Sequence, residues 1–198
     1  LPGNAPAIQL DHFETILTPV GEESMAWNIG DEGFEMVLGT YVPHIIDDHI
    51  VGALEPLLAR DPSLAGQAYR DIEHWAIHPG GRSILDKVEA KLDLTEEQLV
   101  PARETLRNWG NMSSATVMFV LKHIMDQPFR GGNERICSMA FGPGLTVETG
   151  LFTRVGGPVD HAVQDSALEG SAAGGAAAEG PGAEQDQASP AVPAPAGV

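Results

Sequence analysis

The apolar and polar positions alternate along the first third of the chain and then change period. Residues 8–18, IQLDHFETILT, read as a strand, and GEES at 21–24 as a turn. MAWNIG (25–30) and GFEMVL (33–38) read as two short strands around Asp31-Glu32, the pattern of an antiparallel hairpin. From Pro43 the period becomes helical. Ile45, Ile46, Ile50, Ala53, Leu54, Leu57 and Leu58 fall on one face up to about Arg60, and proline is tolerated in the first turn. IEHWAI (72–77) is a strand that stops at His78-Pro79, and 81–91 is a helix with Ile84, Leu85, Val88 and Leu92 on one side. TEEQ at 95–98 is a capping box that starts a helix running to about Trp109. Gly110 ends it, and Asn111 is placed to cap the next. Residues 112–126 are apolar nearly all round, which predicts a helix buried on every side. ERICSMAF (134–141) and LTVETGLFTRV (145–155) read as strands joined by a Gly-Pro-Gly turn.

Strands alternating with helices make the class α/β, with an antiparallel element at the end. A body of this size cannot bury a helix on all sides with its own sheet. Together with a first residue that is Leu and not Met, this raises the expectation that a companion half is missing.

Composition changes the picture at the C-terminus. From Gly156 the chain is Ala, Gly, Pro, Ser, Gln and acids, with no Lys or Arg. Such a segment buries too little surface to offset its chain entropy, so residues 1–155 are expected to form the domain and 156–198 a disordered acidic tail. The formal charge is −17. Residues 1–155 carry 22 acids against 11 bases, net −11, and the tail adds six acids. An acidic chain without a basic stripe argues against nucleic acid and against an anionic membrane surface. There is no apolar run long enough to span a bilayer and no secretory leader pattern in LPGNAPAIQL. The single cysteine, Cys137, excludes an internal disulfide and fits a reducing compartment, so a cytoplasmic location is expected.

Few residues are candidates for chemistry. His78 ends a strand, is followed by Pro79-Gly80-Gly81, and precedes a helix whose free N–H groups face the same space. A lone histidine there is most often a structural one, and Asn111 with Ser113 and Ser114 is explained by helix capping alone. His44, Asp47, Asp48 and His49 lie close together on a helix, but convergence of four ligands on one turn is geometrically poor, so no metal is expected.

Taken together the motifs say more. WAIHPGGRSILDKVEAKLDL, then LRNWGNMSSATVMFVL, then MAFGPGLTVETGL, in that order, resemble the C-terminal half of type III polyketide synthases, the chalcone and stilbene synthase-like enzymes. The likeness covers about residues 8–155, and MAWNIGDEGFEMVLGTYVP looks more like bacterial members than plant ones.

The resemblance implies the C-terminal half of a thiolase-like fold, a mixed sheet packed with helices. It implies an acyltransferase that condenses an acyl-CoA starter with malonyl-CoA by decarboxylative Claisen chemistry, with no cofactor beyond coenzyme A thioesters. The family's catalytic His and Asn fall on His78 and Asn111, which would form an oxyanion hole. Its nucleophilic Cys would lie in an N-terminal half that this chain lacks. Cys137 is not its equivalent, because it sits mid-strand with no helix N-terminus behind it. Gly80, Gly81 and Ser83 fall where the family meets the pantetheine arm, although Arg82 replaces a usual proline. Met36 falls at a gatekeeping position, Ser113 near the Asn, and Phe141, Gly142, Pro143 and Gly144 on the loop that shapes the cavity wall. A homodimer is implied, and neither nucleic acid nor membrane as a partner. The alternatives are a ketoacyl-carrier-protein synthase III-like condensing enzyme, which usually lacks HPGG, and a non-catalytic half that only pairs and dimerises.

Overall fold

The computed structural model describes residues 6–156. The expected tail therefore lies outside the described residues, save for Gly156. The chain runs β1 (Ala7–Leu17), β2 (Met25–Gly30), β3 (Gly33–Leu38), α1 (Val42–Leu58), β4 (His74–Ile77), α2 (Arg82–Leu92), α3 (Glu96–Trp109), α4 (Thr116–Asp126), β5 (Glu134–Gly142) and β6 (Thr146–Val155). Four strands form one sheet in the order β1-β6-β5-β4, and β2 and β3 form a separate hairpin. β1 and β5 both run antiparallel to β6, while β4 is parallel to β5, so the sheet is mixed. The parallel pair needs a crossover, and α2, α3 and α4 supply it.

Local sequence explains most of these boundaries. Pro43 sits in the first turn of α1, and Ile45, Ile46, Ile50, Ala53, Leu54 and Leu57 are buried from it. Thr95 accepts from the Gln98 backbone N–H, and the Gln98 side chain accepts from Thr95 N at 2.9 Å, so the predicted capping box is formed. Gln98 also donates to the carbonyls of Arg70 and Ile72, which fastens the start of α3 to the approach to β4. All four residues of β4 are buried, and the core joins Trp75, Ala76 and Ile77 to Leu85, Val88, Leu99, Val120, Ile124, Ile136 and Leu151.

Two expectations need correction. The helix over 112–126 begins only at Thr116, after a 3-10 turn at Ser113–Ala115, so Asn111 does not cap it. Nor is α4 buried all round: Thr116, Val120 and Ile124 are inside, but Met118 is 63% and Phe119 40% exposed. That outward apolar face is covered only in part: the Phe119 ring lies 5.7 Å from the Trp109 ring of α3, and Met118 stays exposed. The same holds for the hairpin, where Trp27, Ile29 and Phe34 are exposed.

A buried ionic cluster, not legible in the sequence pattern, holds the far end of the sheet. Glu134 accepts from Arg154 at 3.0 Å, lies 2.8 Å from His74 Nε2, and takes the Arg130 backbone N–H. Arg154 reaches on to the carbonyls of Met125, Gln127 and Pro128 and lies over the Phe129 ring. One fully buried guanidinium therefore ties the α4–β5 connection to β6.

Candidate active site

His78 follows β4 directly. Its backbone N–H donates to the Met139 carbonyl at 2.7 Å, which carries the parallel ladder one step past the strand. Its own carbonyl then accepts from Gly80 N at 2.9 Å, a tight turn that reverses the chain into α2. Gly80 is the glycine beside the imidazole, where a Cβ would stand 3.9 Å from His78 Cδ2, whereas a Cβ on Gly81 would project into open space. The ring is almost fully buried, and burial lowers its pKa from the ordinary histidine value. No group among the described residues hydrogen-bonds it. It is thus a neutral imidazole at ordinary pH, with its ring nitrogens uncommitted.

Asn111 arrives from the middle of the crossover, between α3 and α4. Its Nδ2 donates to the Gly80 carbonyl at 3.1 Å, and its Oδ1 accepts from Ser113 N at 2.9 Å. Those two bonds settle which end of the carboxamide is which, and they use one of its two N–H groups. Ser113 takes a left-handed backbone, φ 59°, at a cost of about 1–3 kcal/mol for a residue other than glycine.

The two side chains border one cavity of about 440 Å³. Gly80, Gly81 and Ser83 line it from the α2 turn, Met25, Met36 and Leu38 from the hairpin, and Val42, Pro43 and Ile46 from α1, with Phe141 closing the β5 side. The wall is largely apolar with a few polar side chains, His78, Asn111, Ser83 and Thr40, the usual composition of a site for a small molecule. Of the residues singled out from sequence, Ser113, Gly142, Pro143 and Gly144 do not line it. Ser113 stands behind Asn111. Pro143–Leu145 is a 3-10 turn between β5 and β6, with Gly144 at φ 75° and the Leu145 carbonyl taking both the backbone N–H and the hydroxyl of Thr18. Met25 and Leu38 went unnoticed in the sequence. The period of two was the signal: the register pairs Met25 with Leu38 and Trp27 with Met36, so those positions share a face.

Cys137 lies mid-strand, buried, and burial pushes its thiol up to about 12. It is paired in register with Trp75 and Leu151 and does not line the cavity. His44 stacks on Tyr41, and Asp47 pairs with Lys87. Among the described residues no group of three or more His, Cys, Asp or Glu side chains is placed to hold a metal ion. No described helix is long and apolar enough to cross a membrane.

Comparison with known proteins gives this geometry a context. Residues 9–156 match the family described as chalcone and stilbene synthases, C-terminal domain. The chain is 30% identical over 161 residues to type III polyketide synthase 10 of Oryza sativa subsp. japonica, covering 77% of this chain and 40% of that protein. It is 31% identical over 144 residues to type III polyketide synthase B of Arabidopsis thaliana, covering 69% and 36%. In structure it is similar to the C-terminal type III polyketide synthase domain of Steely1, a type I/III hybrid from Dictyostelium, with a TM-score of 0.67, 29% identity, and coverage of 76% and 41%. The mixed sheet with its helices is therefore that of the thiolase-like C-terminal domain. The chain spans about two fifths of the length of these relatives.

Proposed function

Since the chain belongs to the chalcone and stilbene synthase C-terminal domain family, we propose that it is the C-terminal half of a type III polyketide synthase. Residues 1–155 form the domain. The enzyme condenses an acyl-CoA starter with malonyl-CoA and needs no metal or redox cofactor. The hairpin sequence leans to the bacterial branch, although the relatives compared above come from plants and Dictyostelium. The complete enzyme is cytoplasmic and a homodimer, and the nucleophilic cysteine comes from the N-terminal half.

The supporting observation is that His78 and Asn111, 33 positions apart in sequence, border one cavity while each keeps an N–H uncommitted to protein. When malonyl-CoA loses carbon dioxide, the Cα–carboxylate bond breaks and its electron pair passes into the thioester carbonyl. The charge collects on the oxygen. An imidazole N–H and the free Asn111 N–H aimed at that oxygen stabilise it, and they do so best in a cavity walled by aliphatic side chains. The enolate carbon then attacks the acyl thioester on the cysteine, the new C–C bond forms, and the thiolate leaves. A neutral His78 suits the donor role and needs no proton transfer.

The test is malonyl-CoA decarboxylation by the complete enzyme. His78→Ala and Asn111→Ala each lower the rate by about 100–1,000-fold, the usual scale for one oxyanion donor. Parent-like decarboxylation by both variants overturns the reading.

A further inference from the structure

We propose that Thr116 is the positioning residue for Asn111, acting through the turn at residues 112–115. The inference rests on the reading of Asn111 given above.

Thr116 is the first residue of α4 and is completely buried. Its hydroxyl accepts from the Met112 backbone N–H at 2.8 Å and donates to the Ser113 carbonyl at 2.8 Å. Donor and acceptor are both used, and they grip the chain on either side of Met112–Ser113. The Ser113 carbonyl also takes the Thr116 backbone N–H. Between those two grips Ser113 holds its left-handed φ of 59°. That conformation sets the Ser113 N–H, 2.9 Å from Asn111 Oδ1. The N–H bond to Oδ1 fixes the carboxamide the right way round, with one Nδ2 hydrogen on the Gly80 carbonyl and the other free.

The hydroxyl is therefore the start of a relay of hydrogen bonds that ends on the donor. Without it Met112 N–H loses its side-chain acceptor, and Ser113 has less to hold it in a costly backbone region. Ser113 then relaxes, its N–H turns from Oδ1, and the carboxamide is free to rotate. The methyl group of Thr116 contributes packing only, so a residue that keeps the hydroxyl keeps the relay.

The test compares Thr116→Val, which keeps the shape and loses the hydroxyl, with Thr116→Ser, which does the reverse. In the complete enzyme Thr116→Val lowers kcat for malonyl-CoA decarboxylation by about 10–100-fold, short of outright loss of the donor, with KM changed by less than about threefold. Thr116→Ser restores most of the rate. In an Asn111→Ala background Thr116→Val has less than about a twofold further effect, as expected for residues acting as one unit. An undiminished kcat in Thr116→Val, or an equal loss in both backgrounds, overturns the proposal. A parent-like Asn111→Ala would instead count against the role of Asn111. The positioning claim is then read from the side-chain amide resonances of Asn111 in the 198-residue chain. These move or broaden in Thr116→Val and stay in Thr116→Ser; unchanged resonances in Thr116→Val overturn it. Should Thr116→Val fail to fold, Thr116→Ala is read by the same two measurements.

Discussion

Asn111 donates its side-chain N–H to the carbonyl oxygen of Gly80, 3.1 Å away, and so ties the turn before α4 to the turn before α2. The bond brings the start and the middle of a long crossover together at the cavity. It also makes an unequal prediction for two substitutions. Asn111→Ala removes two partly solvated hydrogen bonds and costs the 198-residue chain about 1 kcal/mol in a urea titration. Asn111→Asp costs more than Ala, because a carboxylate oxygen would face the Gly80 carbonyl. Under the proposed function it also places negative charge where the enolate would form, so decarboxylation by the complete enzyme is expected to fall at least as far as in Asn111→Ala.

His78 gives a pH dependence with a defined sign. Burial holds its folded pKa below the ordinary value of 6.5. Between the two pKa values the unfolded chain carries more of the proton than the folded one, so stability rises with pH there. The contribution is fully present above 6.5 and is lost as the pH falls through the folded pKa. Urea midpoints of the parent and of His78→Asn should therefore diverge between pH 7 and 5, the parent losing more on acidification. Parallel midpoints would show that some other group governs the slope.

These two residues also show how far the sequence could be read. The strand that stops at His78 and the motif order around Asn111 were visible because punctuation by Pro and Gly is local. The elements themselves were legible for the same reason, since period and capping are local properties. The Thr95–Gln98 cap is an example. What failed depends on distant partners. Asn111 looked like a helix cap, yet its oxygen serves a 3-10 turn and its nitrogen serves Gly80, 31 residues earlier. The apolar surround of α4 predicts all-round burial, whereas burial depends on what covers each face. Phe141 reaches the cavity while the three residues after it turn into β6, a distinction of direction that composition does not encode.

Cys137 is predicted to be chemically inert in the folded chain. Burial raises its thiol to about 12, so at pH 8 almost no thiolate exists, and the strand gives a reagent no access. A maleimide or disulfide reagent should leave the native 198-residue chain unlabelled and react stoichiometrically after urea unfolding. Fast labelling of the native chain would reopen the possibility that this thiol takes part in chemistry. In the complete enzyme Cys137→Ala leaves acyl transfer intact and only lowers stability, by roughly 1–2 kcal/mol for a small buried side chain.

The cluster of His74, Glu134 and Arg154 makes the sharpest stability prediction, because its members are not interchangeable. Glu134 accepts from Arg154 and is bonded to His74, and all three are buried. Arg154 is fully buried, and its Nε has no partner among the described residues. Its positive charge is tolerated because Glu134 neutralises it and three carbonyls take the remaining hydrogens of its two terminal nitrogens. Glu134→Ala removes the only carboxylate that pairs with that charge among the described residues and should cost about 3–5 kcal/mol, the scale of a buried pair broken from one side. Since a domain has only about 5–15 kcal/mol in all, this single change brings the fold to the edge of stability. His74→Phe leaves the Glu134–Arg154 pair whole and replaces one flat ring by another, so its cost should be well under half of that. Urea titrations of the two variants at pH 7 decide the matter. If His74→Phe proves as damaging as Glu134→Ala, then the imidazole, and not the carboxylate, is what makes burial of Arg154 possible.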